Sequence, residues 1–214
     1  MTDQPHRFTT ERFKAFVDAV VAIAMTLLIL PLLEAVSDAS SGKLTTAEFF
    51  HEHTSQLFSF LLSFVLIATF WVGHHSQYRD VEAITGPLLW INIAWMATIV
   101  WLPVPTAMIG QLDADPLQAI VYIGTLILTQ VTTLSGWLYL LRHPGLTTTS
   151  RTELREGVLG DASAIILFSL ALLIAVFLAP YGYAGLLLLL LSGPTTRLLR
   201  RLWAGGRATP DAPR

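Results

Sequence analysis

The sequence predicts an all-α integral membrane protein with six transmembrane helices, and three observations carry that prediction. Charged residues are 13% of the 214 residues while 53% are hydrophobic, about half the charged share of an ordinary soluble domain. Residues 117–141 and 162–196 hold no charge at all. Such runs suit lipid, where a helix satisfies every backbone N–H and C=O within itself. The basic residues also gather at alternate ends of the apolar runs, the bias that orients helices in a membrane.

The elements follow in order. Helix one covers residues 12–33. Its basic start, its apolar run and the small residues Ala35, Val36 and Ser37 resemble a secretory signal with a cleavage site. The run is longer than such a signal and encloses Asp18, so it is expected to remain as a helix. Residues 34–52 read as a polar linker, with Ser37, Asp38, Ser40, Ser41, Gly42 and Lys43 close together. Helix two centres on residues 57–73 and ends at Gln77, Tyr78, Arg79 and Asp80. Helix three covers 83–109, with Pro87 at its start and Pro103 and Pro105 near its far end. Residues 110–116 form a turn, and helix four covers 117–141. A polar loop, 142–156, leads to helix five at 159–179. Pro180, Tyr181 and Gly182 make a tight turn before helix six, which continues to about residue 200. The organisation is one transmembrane domain, 12–203, between an N-terminal tail, 1–11, and a tail at 204–214 whose Gly and Pro content predicts disorder.

Orientation follows from charge. With the N-terminus inside, the cytoplasmic segments hold Arg7, Arg12, Lys14, Arg79, Arg142, Arg151, Arg155, Arg197, Arg200, Arg201, Arg207 and Arg214. That is every Lys and Arg except Lys43, so both termini are expected in the cytoplasm and the chain in the cell inner (plasma) membrane. No basic face interleaved with aromatics supports nucleic-acid binding. Absence of cysteine removes disulfide and thiolate chemistry. Ser63, Ser135 and Ser169 have no positioned base, so an enzyme is not expected. His51, Glu52 and His53 are adjacent but lack a third clear ligand, so no metal site and no cofactor are expected.

Helix one is the informative element. Asp18 is the one carboxylate read as lying well inside a span, about 9 Å along the helix from Arg12. An ionised group there needs a partner. Helix two returns to the same depth with Trp71 and His74, three residues apart and hence on one face, and helix three places Asn92 nearby. Arg12, Asp18, Trp71, His74 and Asn92 are therefore expected to form a polar knot, read first as a structural clasp and alternatively as a proton relay or ion site. Relative to Ile23, Leu27 lies about 40° and Leu30 about 20° around helix one, an apolar stripe with Thr26 beside it and Asp18 on the far side. Periodicity alone reads that stripe as core or lipid contact.

The run from Arg12 through Phe16, Asp18, Ile23, Thr26 and Leu27 to Leu30 resembles the signature of the transmembrane protein 175 family, potassium channels of lysosomes and many prokaryotes. The family pattern is Arg-x-x-x-Phe-Ser-Asp followed by Ala-Ile-x-x-Thr-Leu, and Val17 stands where the Ser is usual. Trp71, His74 and His75, together with Asn92, Leu102, Pro103, Pro105 and Thr106, are similar to the family's second and third helices. The resemblance implies a homotetramer in the lipid bilayer, with helix one of each subunit lining a pore that passes monovalent cations, K+ over Na+. It implies an Ile23 constriction with Leu27 and Leu30 rings beyond it, Thr26 hydroxyls beside it, and a network of Arg12, Phe16, Asp18, Trp71, His74 and Asn92 holding helix one. No Thr-Val-Gly-Tyr-Gly loop is present, so a carbonyl filter is not expected and selectivity rests on the cost of dehydration at an apolar ring. Asp38, Glu48 and Glu52 in the outer loop could concentrate cations, but a solvated loop is the simpler reading. The alternative function is a small proton-coupled transporter using Asp18 and His74.

Overall fold

A computed structural model describes residues 10–42 and 44–177. The described chain is a helical bundle: α1 Thr10–Leu27, α2 Leu30–Gly42, α3 Thr46–Glu52, α4 Thr54–Tyr78, α5 Gly86–Trp101, α6 Pro103–Gln111, α7 Pro116–Arg142, a short 3-10 turn Pro144–Leu146, and α8 Arg151–Phe177. Five spans are long and apolar enough to cross a membrane: Thr10–Ser40, Thr54–Tyr78, Gly86–Gln111, Pro116–Arg142 and Arg151–Phe177. The expected sixth helix and both expected tails lie outside the described residues, save the start of α1.

Two of the spans are broken by proline. Pro31 has no N–H to give the Leu27 carbonyl and its ring crowds that oxygen. The chain tightens instead, with Ile29 N–H donating to Thr26 O (3.4 Å) and Leu32 N–H to Ile29 O (3.1 Å). Pro103 does the same to Ile99, whose carbonyl is taken by Leu102 N–H at 3.2 Å. Helix one and helix three of the sequence are therefore each a kinked pair, α1–α2 and α5–α6.

Two expectations about loops are corrected. Residues 34–52 are not a plain linker, because helix one continues as α2 to Gly42 and α3 follows. The polar stretch 142–156 is only partly loop, since α8 begins at Arg151. Each unexpected start is nucleated by a reciprocal cap. Thr45 Oγ1 accepts from Glu48 N–H while Glu48 Oε2 accepts from Thr45 N–H at 2.8 Å. Ser150 and Glu153 repeat the pattern, with Ser150 N–H donating to Glu153 Oε2 at 3.1 Å. The Thr45 hydroxyl and N–H hold the exposed Glu48 carboxyl below its ordinary pKa.

A main core joins α1, α4, α5, α7 and α8 through Phe13, Val17, Ile67, Trp95, Tyr122 and Phe168. The α7–α8 pair is the most extensive packing, followed by α4 on α6 and α5 on α7. Gly157 permits the first, since a Cβ there would lie 2.4 Å from Trp137 Cε2. Buried hydroxyls pair inside the bundle: Thr106 donates to Ser63 (2.8 Å), Ser63 meets the Tyr122 hydroxyl (2.9 Å), and Thr129 donates to Thr98 (2.9 Å). The ends are tied as well. Thr10 Oγ1 donates to Glu82 O, Lys14 Nζ to Arg79 O, Glu82 N–H to Leu146 O and Thr148 N–H to Asp80 O. The start of α1, the α4–α5 connection and the α7–α8 connection thus share one end of the bundle, and with them Arg12, Lys14, Arg79, Arg142 and Arg151.

Candidate functional site

The face that α1 buries explains the face it leaves bare. Phe13, Val17, Val21, Ala24 and, just past its end, Leu28 are all at most 4% exposed, a repeat of three and four residues that keeps one side against the bundle. The opposite side carries Phe16 and Ile23, each 59% exposed, with Leu27 and Leu30 also exposed. Thr26 is exposed too, and its hydroxyl hydrogen is spent on the Ile23 carbonyl at 2.7 Å. Hence the four residues expected at the constriction share the uncovered side of helix one, with Leu30 placed there across the Pro31 break.

The polar residues expected to meet do so only in part. Trp71 Nε1–H donates to Asp18 Oδ1 at 2.8 Å. Separately, His74 Nε2 lies 2.7 Å from Asn92 Oδ1, while Asn92 Nδ2 donates to the Tyr78 hydroxyl (2.7 Å) and to Leu88 O (2.8 Å). Both amide hydrogens of Asn92 are committed, so its oxygen must accept and His74 Nε2 must be the protonated nitrogen. The imidazole is stacked between Tyr78 at 4.5 Å and Trp95 at 4.1 Å. Asp18 and His74 share no hydrogen bond. Both line a cavity of about 250 Å³ at the basic end, together with Glu11, Lys14, Val17, His75, Tyr78 and Arg79.

Arg12 and Phe16 stand apart from this network. Arg12 is exposed and makes no hydrogen bond or ion pair among the described residues. Asp18 lies about 9 Å further along the helix, and six residues also turn the helix by about 120°, which sends the two side chains to different sides. Phe16 points with Arg12, and both line an open groove of about 660 Å³ with Phe13, Ala15, Leu89, Ile93 and Met96. The expectation that these two residues belong to the clasp is therefore not met by the geometry: the clasp is Asp18–Trp71 beside His74–Asn92–Tyr78.

Sequence reasoning missed Tyr78, although it stands four residues from His74 on the same face of α4. Asp161 was missed as well. Asp18 is not alone inside a span, because the earlier start of α8 carries Asp161 into the bundle, where its Oδ2 is buried without a hydrogen-bond partner among the described residues. Ser63 and Ser135 are spoken for by Tyr122 with Thr106, and by the Val131 carbonyl.

Comparison with known proteins bears on this geometry. Residues 12–103 match the family described as endosomal/lysosomal potassium channel TMEM175. A potassium channel of Streptomyces collinus is 32% identical over 103 residues, covering 47% of each chain. One from a Chryseobacterium strain is 28% identical over 104 residues, 48% of this chain and 50% of the relative. The mouse endosomal/lysosomal proton channel TMEM175 is 33% identical over 100 residues, 44% of this chain and 20% of the relative. The aligned part is about half the length of the bacterial relatives. In three dimensions the chain superposes on a crystal structure of a variant of the potassium channel MtTMEM175, bound to a nanobody fusion protein. The TM-score is 0.63 at 14% identity, covering 96% of this chain and 100% of the other. That likeness speaks for the fold.

Proposed function

We propose that this chain, whose residues 12–103 match the TMEM175 family of ion channels, is a potassium-permeable cation channel in the plasma membrane, with its basic end cytoplasmic. In this reading four copies surround an axis with α1 innermost, and Ile23 from each forms the narrowest ring. The observation that carries it is the two-sidedness of α1: one side is sealed into the bundle while Ile23 is 59% exposed. The potassium channels of Streptomyces and Chryseobacterium align across this region. Four Ile side chains offer an ion no oxygen ligands, so passage depends on partial dehydration or on widening of the ring. Potassium sheds water more readily than sodium, which gives modest selectivity, and a dewetted ring is a closed gate.

Purified protein in liposomes is expected to pass K+ down its gradient without a coupled ion. Ile23→Asn wets the ring and is expected to raise that flux and lower the K+ over Na+ preference. Unchanged flux in Ile23→Asn, or an assembly in which α1 faces lipid, would overturn the reading.

The cavity shared by Asp18 and His74, with the mouse relative's name as a proton channel, favours one second reading, proton movement through that pair. Its signature is saturable, proton-dependent flux lost in Asp18→Asn. The separate partners of the two residues argue against direct transfer between them.

A further inference from the structure

The Pro31 break leaves hydrogen-bond acceptors behind it. Pro31 has no N–H for the Leu27 carbonyl, and Leu32 N–H, which a regular helix would aim at the Leu28 carbonyl, goes to Ile29 O at 3.1 Å. Two consecutive carbonyls thus lose their ordinary donors. Leu28 and Leu32 face inward, 2% and 7% exposed, and with Pro31 they wall a cavity of about 10 Å³ against α4 and α6. Gln56, Ser59, Thr106 and Gly110 line its other side. All of these residues belong to one chain, so further copies around it bury them more, not less. Gly110 brings α6 onto α4 at that wall, since a Cβ there would lie 2.9 Å from Ser59 Oγ and 3.0 Å from Gln56 Cα. The side-chain oxygen of Gln56 is buried without a hydrogen-bond partner among the described residues. The neighbouring hydroxyls have no hydrogen to offer it. Ser59 donates to the Gln56 backbone carbonyl at 3.0 Å, and Thr106 to Ser63 Oγ and the Leu102 carbonyl, both at 2.8 Å.

We infer that one water molecule binds in this cavity as a fixed part of the break in helix one, donating one hydrogen to Gln56 Oε1 and the other to the Leu28 carbonyl. The cavity is at the lower size limit for a single water, which needs a few polar partners to stay, and its lining supplies acceptors that lack O–H or N–H donors. Prolines persist in membrane helices where ordered water or neighbouring hydroxyls satisfy the carbonyls they free. Here the hydroxyls are already committed, which leaves water. A monovalent cation of similar size would also meet oxygens, but no carboxylate lines the cavity, and a buried charge without a counter-charge costs far more than a neutral molecule. Gln56 stands in the first turn of α4, so water arrives from the end of the bundle without crossing its core. The bridge ties the broken helix to α4 through solvent, and it is independent of whether the chain conducts ions.

Radiolytic hydroxyl labelling reads the site in the intact protein, because X-rays split a bound water in place and the radical oxidises the side chains beside it. Leu28 is expected to be oxidised several-fold faster than Leu126, a core leucine as well buried. Gln56→Met keeps the side-chain length but removes the acceptor, and it is expected to bring Leu28 down to the Leu126 rate. Equal rates in the parent protein overturn the inference. So does fast Leu28 oxidation that persists in Gln56→Met, because solvent would then enter through a frayed break. Should Gln56→Met fail to fold, a high-resolution crystal structure of the unaltered protein decides. One density peak is expected within hydrogen-bonding distance of Gln56 Oε1 and the Leu28 carbonyl, with no anomalous signal after thallium replaces potassium. A thallium signal would make the ligand a monovalent cation, and absence of any peak would make the cavity dry; either result overturns the inference.

Discussion

His74 illustrates how much one amide decides. Asn92 holds the imidazole by its oxygen and the Tyr78 hydroxyl and Leu88 carbonyl by its nitrogen, so it fixes both ring tautomer and rotamer from the facing helix. Asn92→Leu preserves volume but strands the His74 N–H and removes a donor from Tyr78 in a buried site. The cost is expected at about 1–3 kcal/mol, chiefly for groups left unpaired, because a hydrogen bond between helices in lipid is itself worth only about 0.6 kcal/mol on average. A thermal unfolding series in detergent that shows no loss would refute the clasp. Trp71→Phe isolates the other half, since it keeps the aromatic bulk and removes the donor to Asp18. Its expected cost is about 1–2 kcal/mol, as the acceptor is a carboxylate. Because the two halves share no hydrogen bond, the double variant is expected to lose about the sum of the two; strong coupling would mean Asp18 and His74 act as one unit.

At the scale of elements, helix one works as a hinge-bearing rod. Pro31 breaks it just beyond Leu27, and Leu30 stays on the exposed side on either side of that break, as a regular helix would also place it. Pro31→Ala restores the missing N–H and removes the clash with the Leu27 carbonyl, and a continuous α1–α2 helix is expected. Its reading is slower amide exchange over residues 28–32, together with altered conductance if the break positions the Leu30 ring. Helix α7 is constrained differently. A Cβ on Gly136 would lie 2.7 Å from Gln77 Nε2 and 3.0 Å from the Tyr78 hydroxyl. Gly136→Ala is therefore expected to displace both, cost about 1–3 kcal/mol, and disturb the Asn92 network from behind. These features differ in how well the sequence exposes them. Long uncharged apolar runs gave away every described span, and proline stands at both kinks, although Pro31 was passed over and helix one was read as a single element. The starts of α3 and α8 were hidden because Thr45–Glu48 and Ser150–Glu153 sit in polar stretches, where composition says loop while the capping pattern says helix. Arg12 was misplaced for a related reason: depth along a helix is read easily from sequence, whereas azimuth and depth together decide which side chains meet.

For the whole molecule, charge asymmetry and fold point to one arrangement. The structure draws the start of α1 and the 79–85 and 143–150 connections to one end through Thr10, Lys14, Glu82 and Thr148, and that end collects the described Lys and Arg residues. The opposite end joins α4 to α6 through Ser55 and Ile109 and carries Glu48, Glu52, Asp113 and Asp115. The positive end is expected to remain in the cytoplasm, which puts Arg12 inside and the α3 cap outside. Acidification of the outer side should then loosen α3. The Glu48 pKa is lowered in the folded state, so its stabilisation is present above the ordinary carboxylate range and lost as pH falls through the folded value. Orientation itself is open to direct measurement in this cysteine-free chain. Ala47→Cys and Asp113→Cys in intact cells are expected to react with a membrane-impermeant maleimide, and Thr148→Cys only after permeabilisation. The reverse pattern would place the basic end outside, and labelling of all three would mean that the chain inserts both ways. Either outcome would break the link between basic residues and the cytoplasmic side, because the same Lys and Arg residues that the fold gathers at one end are those that orient the helices.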